Sequence, residues 1–154
     1  MASIDWCKAQ KKGLSLIEPN DNLAKAYILE AEETLQVLKE IKDKSRTWLA
    51  VTKYYCEYFS IYALLMKIGI KSEIHDCTIE VCGILEKEKI IPQGYKRILE
   101  KDKQLREDNQ YYLKNREVHL VYDALLDFVL ILKDKINTLT REEIERVRKI
   151  IGSY

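Results

Sequence analysis

The sequence predicts an all-α protein: an up-and-down antiparallel bundle of four to five long helices, with short helices at the N- and C-terminal ends. Three observations carry this expectation. Apolar residues recur at spacings of three and four along several long runs, the signature of one buried helical face. Only five glycines and two prolines punctuate 154 residues, fewer than a chain built of strands and tight turns uses. The connections between the apolar runs are short, which sets consecutive helices side by side and antiparallel. The length suits one core rather than two, so one domain is expected, with an arm over 1–19, a core bundle over 20–137 and a last helix over 138–154.

Taken in order, a first short helix is expected over 3–12. Ser3 caps it, Asp5 sits in its first turn, Trp6 anchors it and Gly13 ends it. Pro19 and the Asn/Asp cluster after it mark a turn. Leu23, Tyr27, Ala31, Leu35 and Leu38 then form one stripe on a helix that ends near Asp43. The next helix is expected from Ser45 to about Ile68, with an apolar face so wide (Trp48, Val51, Tyr54, Tyr55, Tyr58, Phe59, Ile61, Tyr62, Leu65, Met66) that it must be central. Gly69 suits the left-handed position that ends it, and Ile70 folds back onto its last turn.

Ser72 is expected to cap a third long helix running to about Lys87. Pro92 and Gly94 mark a loop before a fourth over 95–113, whose stripe of Tyr95, Ile98, Leu99 and Leu105 is thin and whose charge argues against a central place. A fifth, apolar nearly all round, is expected from Arg116 to Ile136. The last begins at the capping box formed by Thr140 and Glu143. No strand is needed.

The formal charge of +1 is the balance of 26 basic and 25 acidic side chains, so the strongly basic signature of many nucleic-acid binders is missing while a local basic groove stays open. Asp127 and Lys133 interrupt the greasiest run, short of the roughly 18 apolar residues a membrane span needs. The N-terminal MASIDWCKAQKK lacks the order of a signal peptide. A cytoplasmic protein is therefore expected, and Cys7, Cys56, Cys77 and Cys82, which form no CxxC pair, read as reduced and mostly buried thiols. No dinucleotide fingerprint, P-loop, nucleophile elbow or HExxH motif occurs.

Four clusters have functional potential. The tyrosines from Tyr54 to Tyr62 could stack bases between Lys53 and Lys67, although tyrosines at this spacing on so apolar a helix read first as core. His75 with Cys82 offers two ligands where a structural zinc needs four, so no metal is expected and His75 reads as a capping or packing residue. His119, Asp123 and Asp127 would form a polar line at i, i+4 and i+8 on the fifth helix, suited to acid/base work or to plain solvation. Asp102, Arg106 and Asn109 at helical spacing, followed by Gln110, Tyr111 and Tyr112, would hold an arginine rigid enough to grip phosphate, or form a solvated ion pair of little value.

The order AYILEAEETL, then WLAVTKYYCEYFSIYALLMKIGIKSEIHDCTI, then LREDNQYY followed by a long apolar helix resembles the HEPN domain, in particular its small archaeal stand-alone members. The likeness spans roughly residues 20–137. It implies a bundle of four or five helices, often a homodimer, associated with nucleotides or RNA. It also implies pairing with a minimal nucleotidyltransferase in a toxin–antitoxin arrangement. The family's ribonucleases carry an arginine, four to six residues and then a histidine. Here that count from Arg106 reaches Tyr111, Tyr112 or Leu113, and Arg116 is separated from His119 by only two intervening residues. The expectation that follows is a nucleotide- or RNA-binding protein using Arg106, Asn109, Tyr111 and Tyr112, with no cofactor and no full catalytic set. A metal-independent ribonuclease using Arg116 and His119, and a non-catalytic dimeric interaction module, are the alternatives.

Overall fold

The computed structural model describes residues 2–154. Helix α1 (Ile4–Ala9) starts as expected, with Ser3 Oγ accepting the Trp6 N–H at 3.2 Å. It stops at Gln10 rather than Gly13 and buries Ile4 and Cys7, while Trp6 faces solvent. The reason is its partner: the buried face docks on helix α4 (His75–Lys87), where Cys7 and Cys77 are joined in a disulfide. This corrects the expectation of four reduced thiols. Among the described residues the free cysteines are Cys56 and Cys82, both buried.

Helix α2 (Asp21–Ile41) is capped by Asn20, whose Oδ1 accepts the Leu23 N–H. Its buried line is Ala24, Ile28, Ala31, Leu35 and Leu38, so the expected stripe is turned by one residue at its start. Leu23 is exposed and Tyr27 only partly covered. Helix α3 (Arg46–Ile68) is central as expected, buried along most of its length and packed on α2 and on both helices α5 (Tyr95–Gln110) and α6 (Tyr122–Thr138). Trp48, expected on its buried face, is exposed.

Gly69 ends α3 at φ +88°, donating its N–H to the Leu65 and Met66 carbonyls. A Cβ there would lie 2.4 Å from the Ile17 oxygen, so glycine is required by space as well as by conformation. The reversed chain then pairs with the arm: β1 (Ser15–Leu16) and β2 (Ile70–Lys71) lie antiparallel, Leu16 opposite Ile70. This two-residue ladder corrects the strand-free expectation. It follows from Gly69 turning the chain back along the arm.

Ser72 does not cap α4. Its hydroxyl donates to the Ile74 carbonyl and its N–H to the Tyr62 hydroxyl, and Ile74 occupies the cap position. The largest departure lies between α5 and α6. The helix expected from Arg116 begins only at Tyr122, and residues 113–121 are irregular. Leu113 and Asn115 take positive φ near +50°, which no helix admits. The Asn109 side chain clasps the Arg116 backbone, its Nδ2 donating to the carbonyl at 3.0 Å and its Oδ1 accepting the N–H at 2.7 Å. Helix α7 (Arg141–Gly152) carries the expected capping box in full. Among the described residues, no helix is long and apolar enough to cross a membrane.

Candidate phosphate-binding site

Three helices place the chemistry. On α3, Tyr58 follows Tyr54 by four residues and Tyr55 by three, so its ring neighbours both. Tyr54 and Tyr58 are buried and Tyr55 partly so. The first turn of α4 brings His75 against them, and α5 brings Arg106. The charged fourth segment is therefore less peripheral than its sequence implied: it buries Asp102, Arg106, Asp108 and Asn109.

Arg106 is only 7% exposed. Among the described residues it forms no salt bridge, and its side chain makes one hydrogen bond, Nη1 donating to the Tyr55 hydroxyl at 3.2 Å. Its Nε is sealed from solvent without an acceptor. Aromatic rings surround the guanidinium instead, with Tyr54, Tyr55 and Tyr111 centred 5.0, 5.5 and 5.7 Å from Cζ. Rings stabilise a cation through their faces but accept few hydrogen bonds. A guanidinium with five donors thus sits desolvated and largely unanswered. Gln110, one turn further along α5, buries its Oε1 equally unpartnered.

His75 lies 4.1 Å from Tyr58, centroid to centroid and nearly parallel. Its Nδ1 is 2.7 Å from the Tyr54 hydroxyl. Burial, then the Arg106 guanidinium, then the Lys103 ammonium pull its pKa down to about 4, so the imidazole is neutral at neutral pH. Burial pushes the Tyr54 and Tyr58 phenols well up.

A second buried cluster lies on the same pair of helices. Lys53 Nζ stands 3.2 Å from Glu57 Oε2 and donates a short bond to Asp102 Oδ2. Both carboxyl groups are buried. Burial acts against the Lys53 ammonium, but the Glu57 and Asp102 carboxyls outweigh it and raise its pKa. Burial, then hydrogen bonding with Asp102, raises the Glu57 pKa well above the carboxylate range. This cluster borders a cavity of about 170 Å³ walled by Ile98, Leu125, Phe128 and His119.

The residues expected from sequence therefore separate. Arg106 and Tyr111 meet in the aromatic box. Asn109 is spent on the Arg116 backbone, so it shapes the loop rather than facing a ligand. Tyr112 is 69% exposed at the rim, with Lys114 Nζ 5.8 Å over its ring. Arg116 pairs with Asp108 at 2.6 Å, whereas His119 lines the other cavity. Because α6 starts at Tyr122, His119 does not continue the line of Asp123 and Asp127. Asp102 belongs to Lys53 rather than to Arg106. Cys82 is buried and donates to the Thr78 carbonyl, apart from the bond His75 makes with Tyr54. No group of three or more metal-ligating side chains occurs among the described residues.

Sequence reasoning took His75 for a cap or packing residue and the tyrosines for core. The available signal was the coincidence of three neighbouring tyrosines on α3 with a histidine just past the Gly69 stop. No protein-family model, no curated protein and no solved structure matches this chain.

Proposed function

We propose that the protein binds a nucleotide or RNA, with Arg106 gripping a phosphate and Tyr111 and Tyr112 at the rim offering faces for a base. The observation that supports this most is a buried arginine with no acid to neutralise it. A desolvated charge without a counter-ion is costly, and a phosphate supplies both the charge and the acceptors. Exposed tyrosine faces stack bases whatever their identity.

In this reading the chain acts in the cytoplasm as a homodimer with a minimal nucleotidyltransferase, in a toxin–antitoxin-like pair, as the HEPN resemblance implies. The test is titration of labelled RNA and of a nucleotide at fixed salt. Arg106→Ala is expected to weaken binding by tenfold or more, the value of charge-assisted hydrogen bonds of about 1.5–3 kcal/mol. Unchanged affinity for both would overturn the proposal. For the partner arrangement, mass measurement at high concentration should return twice the chain mass of 18.2 kDa, and a strict monomer counts against it.

A further inference from the structure

The Tyr54–His75 hydrogen bond has a direction that its surroundings fix. Tyr54 is 0% exposed, and its hydroxyl has one partner among the described residues, His75 Nδ1. Were Nδ1 to carry the imidazole proton, the tyrosine proton would be left buried without an acceptor, at a cost comparable to a lost hydrogen bond. Tyr54 therefore donates to Nδ1, and the ring proton resides on Nε2. That nitrogen makes no hydrogen bond to the described residues, and it is not among the atoms sealed from solvent. The same holds for Nη2 of Arg106.

Both open donors belong to groups that flank the same two tyrosines. The His75 ring is 6.0 Å from that of Tyr55, and the Arg106 Cζ is 5.5 Å from the same ring, both groups also flanking Tyr54. Lys103, the other cation acting on His75, is held by Asp76 at 3.2 Å and by Glu107 at 2.6 Å. The two carboxylates exceed the Lys103 charge by one, so Arg106 is a cation without an ion-pair partner, His75 is a neutral donor, and the surroundings hold no surplus positive charge for a doubly charged ligand.

We infer that His75, with its tautomer fixed by Tyr54, is the second phosphate donor beside Arg106, and that the pair selects a singly charged phosphate ester over a doubly charged one. This rests on the phosphate-binding reading of Arg106. One buried cation matches one anionic charge, whereas a terminal phosphate, carrying nearly two at neutral pH, leaves the second buried and unpaired.

Two measurements test it. Nitrogen-15 NMR of the imidazole in the unsubstituted protein should show the Nε2–H form, with Tyr54→Phe releasing it to a mixture; a dominant Nδ1–H form in the unsubstituted protein overturns the inference. Titrations then compare a dinucleoside monophosphate, which has one phosphodiester, with the matching nucleoside 5′-monophosphate. The phosphodiester should bind more tightly, and His75→Phe, which keeps a ring on Tyr58, should weaken it by up to about tenfold. Equal affinities, or no loss in a folded His75→Phe, overturn the inference. If Arg106→Ala still abolishes binding in that case, the phosphate reading stands and only the role of His75 falls. Loss of neither defeats both.

Discussion

Lys53, partly buried, and Arg106, buried, are two cations on the same helix pair, and their surroundings differ in kind. Lys53 is answered within the chain by Glu57 and Asp102. Arg106 meets rings on three sides, one phenolic oxygen and no acid. The Lys53 cluster answers its cation inside the chain, although Glu57 Oε1 stays buried without a partner beside the cavity. In the proposed reading, a cation held without its anion awaits one from a ligand. Burial and charge alone therefore do not distinguish a strut from a site; the presence of a counter-charge does.

Breaking the charge-paired cluster should have the largest effect. Lys53→Met leaves two carboxyl groups buried without their cation, and unfolding by urea should report a loss of about 3–5 kcal/mol. Next is the covalent support under the α4 side of the site. The Cys7→Ala/Cys77→Ala pair removes a bond that spans 70 residues, and chemical unfolding should show a loss of about 2–4 kcal/mol. In the same protein, protection of the α4 amides from hydrogen exchange should fall more than that of α2.

The smallest stability effect is expected at the open site. Arg106→Met removes a charge that nothing neutralises, so the unfolding free energy should stay within about 1 kcal/mol of the parent or rise, while phosphate binding disappears. A loss as large as that of Lys53→Met would make the two cations equivalent and end the distinction. A pH series sharpens it further. Glu57 has a folded-state pKa above its unfolded value, so the folded state binds the extra proton. Its stabilising contribution is complete below the ordinary carboxylate range and declines as pH rises through the raised value. Glu57→Gln should flatten that decline in thermal unfolding, and a Glu57→Gln curve parallel to the parent's would show that Glu57 is not the group responsible.

The helices themselves were legible because their signals are local. The Ser45 cap, the Gly69 stop and the Thr140/Glu143 box each depend on residues within one turn, and each stands where the sequence placed it. The site was half legible. Arg106 stands out by its spacing from Asp102 and Asn109, but those two turn away from it, one to Lys53 and one to the Arg116 backbone. That division is set by contacts between distant segments: Lys53 is 49 residues from Asp102 along the chain, and Tyr54 is 21 from His75. Periodicity cannot register such contacts. The missed break before α6 has the same origin, since the apolar pattern of 118–121 continues into the helix while the Asn109 clasp holds the backbone out of it.

The Cys7–Cys77 bond divides the site in a way that concerns folding. It closes a ring containing the whole of α2 and α3 and the first turn of α4, so Tyr54, Tyr55, Tyr58 and His75 all lie within it, and Arg106 lies outside. In an oxidised chain the ring shortens the search by which the aromatic wall finds its histidine, since fewer conformations separate them. The arginine gains nothing from the ring. It is brought by α5 from beyond the ring, so the constraint acts on the wall of the box and not on the charge it encloses.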